Sequence, residues 1–571
     1  MIMLKGILFF FLLMPLFCLN TQASAGAARA TAGQTSAVTE KLLPDETGLA
    51  ALASKLDAEK KTPLVSPDTY RKPVQKAEDT PLFTLKTVTI IGNRTIRAKE
   101  LLPCWAHYVG QKIGFNELSD IAYCMTKAYR KEGYFLSYAV IPVQDIDTNV
   151  GQVTFKVIEG YVDQIEIQKQ DHKEISPRIR ALSEYFRGLP LRMDNFERGL
   201  LLVRDLYPNA KAFFEPSPVN AEGATRVRLV IPPKQALQGL AGVNNYGTDA
   251  VGPITYNVGM SWAPKWQEEH KVDLSYQQSL LPRELKAAVA GYTAPIGNDG
   301  ITVSLQGIVL ASHPTTTLKI DKHQATIIGT LLDPLIRSQE LNLYGGVELR
   351  YANQKQTVAD FSQLIRERVR QVKVLALVDW ADGWAGQNSF QFKGTSGLNV
   401  LNPISKNDPH KSRAFGSGVP LYFEVNFTRL QRLMGPFSVK FQADTQYAAR
   451  ELLAIDRFYS NGPPMDGAYP AASMSGDSGF EGKIELIYHL EALLGLQDIQ
   501  FFTYMSKINI WNRSPILGVE TFSATGRGAG IGVRANYRNL TGSLEYGYPI
   551  LHPVCGNSVT PQILFSVMGR V

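Results

Sequence analysis

The chain has 571 residues, of which 44% are hydrophobic and 19% charged, and its formal net charge is +7. This length allows several folded domains, and the positive charge is not concentrated in any dense run of Lys or Arg. Nucleic-acid binding is therefore not expected.

The first 25 residues predict a secretory signal peptide. Lys5 supplies a short positive region, residues 6–19 an apolar region, and Ala23-Ser24-Ala25 a small-residue cleavage site. A lipoprotein signal is the alternative because of Cys18, but Phe17 stands where such a signal carries a small residue. No later apolar run reaches the roughly 20 residues of a membrane helix. If the mature protein enters a membrane, we expect it to do so as a β-barrel.

Residues 26–80 predict a short amphipathic helix and a linker. The helix is expected at about 48–61, where apolar residues at positions 49, 52, 53 and 56 share one face. Residues 62–80 are charged and interrupted by prolines, which is typical of an extended connection.

Two α+β patterns follow, at 81–161 and, more weakly, at 162–234. In the first, a strand, a short helix over 97–109, a second helix and further strands are predicted. The apolar face of the second helix consists of Leu118, Ile121, Ala122, Met125 and Tyr129. The first pattern also contains Cys104 and Cys124, for which a disulfide and two buried thiols remain alternatives.

From 235 to 571 the chain predicts about 16 strands, because apolar and polar residues alternate in segment after segment. A β-sandwich array would alternate in the same way. Strands of about 10 residues, polar inner faces and an exported chain favour an antiparallel membrane β-barrel. A barrel of that size holds water or a plug. Cys555 is expected in an outer loop without an assigned role, and no spacing indicates a metal or cofactor site.

"AYRKEGYFLSYAVIPVQDI" and "GQVTFKVIEGYVDQIEI" resemble the POTRA module of the two-partner secretion transporters, the TpsB or haemolysin secretion/activation family of the BamA superfamily. The residues that match this module are Tyr129, Gly133, Tyr134, Ala139, Pro142, Gln144, Gly151, Val153, Glu159 and Gly160. The resemblance implies two periplasmic POTRA domains, a plug helix at 48–61 and a 16-stranded barrel in the Gram-negative outer membrane.

"RFYSNGPPMDGAYPAASMSGDSGF" is similar to the family's sixth extracellular loop, expected here at about 449–479, which folds back into the barrel. The residues placed in this loop motif are Arg457, Phe458, Gly462, Pro463, Gly467, Tyr469, Gly476 and Asp477. "GDSG" is therefore interpreted as the start of a strand and not as a protease nucleophile, which would need partnered His and Asp residues. We expect no enzyme activity.

Two departures from the family pattern concern an ion pair inside the barrel. Gly467 stands where the family's loop carries Arg, and Tyr504 stands where the facing strand carries Asp. Phe502 and Ser506 take the neighbouring positions of that strand. Because both charges are absent together, the effect on stability can be small. Either Tyr469 or Tyr504 is expected to hold the loop instead, or the loop is expected to be less firmly anchored.

The resemblance implies a pore that carries an unfolded secreted protein across the outer membrane. Outer-membrane lipid and the barrel assembly machinery are the other expected partners, and a monomer is expected. The alternatives are an insertase of the BamA kind, a passive porin, and a degenerate transporter that serves an unusual cargo.

Overall fold

The structure is a computed structural model that describes residues 82–171, 174–219, 221–280, 284–314, 320–358, 363–493, 495–514, 522–551 and 560–570. The predicted signal peptide, the predicted helix at 48–61 and Cys555 lie outside these residues. None of the helices in the described part of the chain is both long and apolar enough to cross a bilayer.

The first folded unit is a three-stranded sheet covered by helices. Its strands and helices are β1 (Phe83–Thr84), β2 (Thr87–Ile91), α1 (Ala98–Leu101), β3 (Lys112–Ile113), α2 (Phe115–Lys131), β4 (Tyr138–Val140) and β5 (Gln152–Ile158). The sheet order is β2-β5-β4, with β2 parallel and β4 antiparallel to β5. The five residues of the predicted helical face on α2 are all buried, as the periodicity indicated.

Two predicted elements of this unit are shorter than expected. The helix over 97–109 is an α-helix only at Ala98–Leu101 and continues as two 3₁₀ turns, because Pro103 lacks the N–H that an α-helix requires. The strand after α2 is limited to the three residues Tyr138–Val140 and ends before Pro142. Cys104, in the first 3₁₀ turn, forms a disulfide with Cys124 of α2.

The second unit repeats the arrangement of the first. It comprises β6 (Tyr161–Lys169), α3 (Pro177–Ser183), α4 (Met193–Leu206), β7 (Lys211–Pro216) and β8 (Ala224–Ile231). Its sheet order is β6-β8-β7, again with one parallel and one antiparallel pair. The Ser176 side chain caps α3 by accepting a hydrogen bond from the Ile179 N–H at 3.2 Å.

The remaining strands form a closed antiparallel barrel of 16 strands, which confirms the strand number expected from the alternation. They are β9 (Leu237–Asn244), β10 (Thr255–Trp262), β11 (Lys271–Ser279), β12 (Leu285–Ile296), β13 (Ile301–Ser312), β14 (Ile320–Arg337), β15 (Leu341–Val358), β16 (Gln363–Ala381), β17 (Gly386–Gly397), β18 (Leu421–Arg432), β19 (Phe437–Ala448), β22 (Ser478–Leu493), β23 (Leu496–Trp511), β24 (Ser523–Tyr537), β25 (Leu540–Leu551) and β26 (Gln562–Arg570). The strands β20 (Phe458–Tyr459) and β21 (Ser475–Gly476) form a separate hairpin. β26 pairs with β9 and closes the cylinder.

The two faces of the barrel wall differ as the alternation predicted. On β22, Ile484 and Leu486 are exposed on the outside, whereas Lys483 and Glu485 are buried on the inside. An apolar outer face and a polar inner face suit a strand that lies between lipid and a wet interior. The barrel is therefore a membrane barrel with a polar lumen.

Candidate functional site

Loop 6, the connection between β19 and β22 (residues 449–477), packs against the inner wall of the barrel. Its first and last parts pair through the β20–β21 hairpin. Most of the loop is buried, including Leu452, Leu453, Ala454, Ile455, Asp456, Phe458, Tyr459, Ser460, Met465, Asp466, Ala468, Tyr469, Ala471, Ala472, Met474 and Asp477. A buried loop must satisfy its own polar groups, so the contacts of these groups define how it is held.

Asp477, the acidic residue of "GDSG", holds three loops together. Its carboxylate forms an ion pair with Arg413 of loop 5 (residues 398–420), and the two side chains are 0% and 5% exposed. The same carboxylate accepts hydrogen bonds from the Leu452 N–H and the Arg513 N–H, both at 2.9 Å. Ser478, the next residue, accepts a hydrogen bond from the Ala448 N–H at 3.0 Å. Both polar residues of the motif therefore have structural contacts.

Two further carboxylates anchor the start of loop 6 to the barrel wall. Asp456 accepts hydrogen bonds from Arg350 at 3.1 Å and from the Gln371 amide at 2.7 Å. Glu367 of β16 accepts from the N–H groups of Ala454 and Ile455, each at 3.1 Å. Charge-assisted hydrogen bonds of this kind are stronger than neutral ones, so the loop is tied to β15 and β16 as well as to its neighbours.

The predicted motif residues at the base of loop 6 stabilise its hairpin. Arg457 donates to the Ser475 carbonyl at 3.0 Å and to the Asn512 side chain at 2.8 Å. The Phe458 ring occupies the space above Gly479, where any side chain would overlap it. Gly476 similarly lies against the backbone of Trp511.

The middle of loop 6 turns sharply at Gly462 and Pro463. Gly462 has a φ of 66° and accepts a hydrogen bond from the Asp466 N–H at 2.8 Å. A side chain at this glycine would overlap Ala471. The turn therefore needs glycine both for its backbone conformation and for the close approach.

Tyr469 fixes the tip of loop 6 to the strands β24 and β25. Its hydroxyl donates to the carbonyl groups of Arg527 and Leu551 and accepts from the Arg527 N–H at 3.0 Å. Its ring is fully buried against Ile508 and Ile510. A buried tyrosine with a satisfied hydroxyl is a strong anchor.

A stripe of glycines on the inner face of β24 receives the loop tip and its neighbours. The stripe occupies alternate positions, at Gly526, Gly528, Gly530 and Gly532. A side chain at these positions would overlap Met474, Ala468, Tyr504 and Phe502, in that order, and Tyr469 lies close beside Gly526. The glycines thus leave space on the inner wall where loop 6 packs, as expected for glycine in a strand that another group approaches closely.

Gly467, which stands at the family's Arg position, lies directly against β25. A side chain there would overlap the Glu545 carboxylate and approach Leu564, and the carbonyl of Gly467 lies directly over Gly547. Ser506 lies near Asp466 and Ala468, beside Gly528. The loop tip therefore approaches the wall through backbone at Gly467, the family's Arg position, while Tyr504 occupies the position of the family's Asp.

Other charges take the place of that pair around Tyr504 and Phe502. Glu485 forms ion pairs with Lys483 at 2.9 Å and with Arg534 at 2.6 Å. Lys483 lies 4.3 Å from the Tyr504 ring centroid, and Arg534 lies 3.9 Å from that of Phe502. Lys483 also donates to the Pro464 carbonyl of loop 6 at 3.3 Å.

The matching residues of the first POTRA unit hold that unit together and join it to the second. Tyr129 donates to Glu159 at 2.9 Å, and burial together with that carboxylate raises the pKa of Tyr129 so that it remains a donor. The Gln144 side chain bonds both backbone groups of Thr154 at 2.8 Å. Pro142 precedes it, and its carbonyl accepts from the Gln144 amide at 3.3 Å.

The joint between the two units uses Gly133, Tyr134 and Gly160. The carbonyl of Gly133 accepts from Met193 N–H at 2.8 Å, and that of Gly160 from Leu191 N–H at 3.0 Å. The Arg192 guanidinium lies 5.8 Å from the Tyr134 ring centroid. Adjacent residues Phe135 and Leu136 pack on the core of the second unit.

Several residues of the site carry no local signal in the sequence. Arg413 and Glu367 lie 64 and 88 residues from their loop-6 partners Asp477 and Ile455, and nothing near them indicates those contacts. The glycine stripe was detectable, because "TGRGAGIGV" places glycine at every second position of a strand. A strand face made only of glycine predicts that another part of the chain packs closely against it from inside the barrel.

The fold and the seated loop define a β-barrel of the outer membrane with a POTRA domain in the periplasm. The POTRA domain of ShlB type matches residues 83–160. The heme/hemopexin transporter protein HuxB of Haemophilus influenzae is 24% identical over 427 residues, which cover 72% of this chain and 73% of that protein.

The outer membrane transporter CdiB of Escherichia coli is similar in sequence and in structure. It is 26% identical over 272 residues, or 45% of this chain and 43% of CdiB. The solved structure of CdiB superposes with a TM-score of 0.72 at 16% identity, covering 97% of this chain and all of that one. BamA from Haemophilus ducreyi, solved without POTRA domains 1–3, gives a TM-score of 0.51 at 14% identity over 86% of this chain and all of that one.

The chain thus contains a POTRA domain of ShlB type and is similar in sequence to the transporters HuxB and CdiB. It shares its fold with CdiB and BamA. It is an outer-membrane transporter whose POTRA domain lies in the periplasm. The relatives are named as transporters. This agrees with the interpretation of "GDSG" as a structural motif, since Asp477 and Ser478 both hold backbone groups of the loops.

Proposed function

We propose that this protein moves an unfolded secreted partner protein from the periplasm to the cell surface through the barrel lumen, and that loop 6 forms part of the closed state. The observation that carries this proposal is the way loop 6 is held. Asp456 and Tyr469 attach it through polar contacts to the inner wall, and Asp477 attaches it to Arg413 of loop 5. Water or a passing chain can replace these polar contacts one at a time when the loop rearranges.

The lumen wall suits an unstructured polypeptide. Its inner face carries buried amides and charges of both signs, such as Gln324, Gln354, Glu424 and Lys373. A mixed polar wall offers hydrogen bonds to any backbone without selecting one apolar side chain. This supports passage of an extended chain.

The second POTRA unit meets the barrel at its periplasmic mouth. Asp205 of α4 accepts two hydrogen bonds from Arg337, at 2.9 and 3.1 Å, and Arg337 is almost fully buried. Glu197, eight residues earlier on the same helix, accepts a hydrogen bond from the Gln339 N–H at 2.5 Å. Burial raises the pKa of the Glu197 carboxyl. We infer that these contacts align the POTRA units with the entrance for the cargo.

The POTRA sheets offer edges on which an extended cargo segment can pair. In the described residues, β7 has a partner only in β8, and β4 only in β5. Unpaired strand edges are templates for adding a strand from another chain. We propose such an edge as the first contact with the cargo.

We propose the domain division that the sequence predicts. Residues 1–25 are a cleaved signal peptide, and a helix at about 48–61 plugs the pore. Residues 81–161 form POTRA 1, residues 162–234 form POTRA 2, and residues 235–571 form the barrel. We also propose a monomer inserted by the barrel assembly machinery. An insertase role is the second candidate, since the barrel superposes on BamA.

A deletion strain tests the proposal. We expect at least one large secreted protein to disappear from the surface and medium and to accumulate in the periplasm, as measured by quantitative mass spectrometry of each fraction. Wild-type protein should restore secretion, and Asp205→Asn should restore it less well than Asp194→Asn, which alters an exposed pair within the second unit. Unchanged secretion with a general loss of barrels from the outer membrane would favour the insertase.

A further inference from the structure

A band of cationic side chains crosses the outer face of the barrel near the extracellular ends of its longest strands. The cationic band consists of Lys286 on β12, Lys355 on β15, and Arg366 and Arg368 on β16, with the imidazole of His323 on β14 between them. Strand pairing places His323 beside Lys355, and Lys355 beside Arg366, in adjacent strands. Lys286 joins the same row through Ala311 of β13.

The band faces away from the lumen. On β16, Glu367 and Gln371 contact loop 6 inside the barrel, so the alternate residues Arg366 and Arg368 point outward. On β14, Lys322 and Gln324 are buried on the inside, whereas His323 is exposed. The cations are therefore on the face that meets lipid.

The height of the band matches the outer surface of the membrane. Lys286 lies ten residues from Ile296, at the periplasmic end of its strand, and Arg366 lies fifteen residues from Ala381. At about 2.5 Å of height per tilted residue, these positions are roughly 25 and 37 Å above the periplasmic turns, and the apolar band of such barrels is about 25 Å tall. Tyr276 and Tyr351, on the same outer face, mark the interface just below the cations.

The cations of the band are not neutralised by neighbouring acids. No ion pair within 4 Å involves Lys286, Lys355, Arg366 or Arg368 among the described residues, and the Nε of Arg368 is buried without a hydrogen-bond partner there. Asp321 contacts His313, and Asp408 contacts His410 and is also attracted electrostatically by Arg368. Lys286, Lys355 and Arg366 therefore retain their positive charge for an external ligand.

A shallow groove of about 640 Å³ lies among these side chains. Its floor is made of small residues, including Ala288, Ala311 and Ala325. Closer to the membrane, Gly307 and Gly329 have open space where a side chain would be, and they alternate on this face with the exposed side chains of Val309 and Ile327. Long cationic side chains thus border a shallow apolar surface that continues into the lipid-facing belt.

We propose that this groove binds one molecule of the phosphorylated glycolipid of the outer leaflet, with its phosphates on the cationic band and an acyl chain on the small-residue floor. The row from Lys286 to Arg366 spans four strand spacings, about 19 Å. That width suits a disaccharide headgroup with a phosphate at each end, whereas the single phosphodiester of a phospholipid reaches only part of it. Arg and Lys are the usual ligands for such phosphates.

The test compares two double variants of the full-length protein, purified in detergent and freed of lipopolysaccharide. Lys355→Gln/Arg366→Gln removes two charges from the band, and Lys265→Gln/Arg538→Gln removes two exposed charges at the opposite, periplasmic rim. Binding of diphosphorylated lipid A, of its dephosphorylated form and of phosphatidylglycerol is measured by native mass spectrometry. Heat-dependent gel mobility verifies that each barrel is folded.

The wild-type protein and the rim variant should retain one lipid A molecule with equal affinity. The band variant should bind about 30-fold more weakly, since each cation at an anionic membrane surface contributes about fivefold. Dephosphorylated lipid A should bind as weakly to the wild-type protein. The proposal would be overturned if the wild-type protein bound phosphatidylglycerol as tightly as lipid A. It would also be overturned if the folded band variant bound lipid A as tightly as the wild-type protein does.

Discussion

Substitution of Asp477 by Asn tests how loop 6 is held. The change preserves the shape of the side chain but removes the charge that neutralises Arg413, and both side chains are buried. Loss of one partner from a buried ion pair costs about 3–5 kcal/mol, because the remaining charge is left without compensation. The Leu452 and Arg513 N–H groups also compete for the one remaining carbonyl oxygen.

The assay combines equilibrium unfolding of the barrel in lipid vesicles with single-channel recordings. We expect Asp477→Asn to lower the free energy of unfolding by about 3 kcal/mol or more and to produce larger, more variable channel openings. Asp408→Asn, the same change in a hydrogen-bonded but more exposed residue of loop 5, should cost at most about 1 kcal/mol.

The double variant Arg413→Met/Asp477→Asn separates the ion pair from the other contacts of Asp477. Because both charges are removed together, it should be more stable than the sum of the two single changes indicates, by about 2 kcal/mol or more. This account of the loop would be refuted if the effects of the two single changes were additive. It would also be refuted if Asp477→Asn had the stability and the channel openings of the wild-type protein.

Three further predictions concern close packing, the POTRA joint and the disulfide. Gly547→Ala should displace the loop tip and increase conductance because the Gly467 carbonyl occupies that space, whereas Gly542→Ala on the same strand, with its nearest neighbour at 3.9 Å, should not. Phe135→Ala should weaken the joint between the POTRA units by about 2 kcal/mol, since the ring is only partly buried, and limited proteolysis should then cut between them; an unchanged digestion pattern would contradict this. Cys104 and Cys124 are 20 residues apart, and reduction of their disulfide should lower the stability of the first unit by about 3 kcal/mol. Hydrogen exchange of α2 measures this loss, and the second unit, which should not change, is the internal control.

The parts of the fold that follow one periodicity were predictable. The helical face of α2 and the 16 strands arise from repeats of 3.6 and 2 residues that lie within single segments of the chain. The shortened α1 shows the limit of that reading, because Pro103 changes the backbone without changing the apolar pattern.

The contacts of loop 6 could be predicted only in part. Tyr469 was expected to hold the loop and makes three hydrogen bonds to β24 and β25. The roles of Arg413, Glu367 and Glu485 depend on residues brought together by barrel closure, so no local pattern distinguishes them from solvated charges. The absence of the family's ion pair indicated a change at Gly467, but the glycine-lined wall that compensates for it was missed.

The barrel strands differ in length from 8 residues in β9 and β10 to 19 in β16. With the tilt usual for such barrels, about eleven additional residues raise the outer margin by about 27 Å on one side of the cylinder. A polypeptide that leaves through the barrel, as proposed, passes beside the raised wall of β14–β16. We expect its first folded segments to form away from that wall, so that the unequal heights of the strands direct the product to one side of the pore.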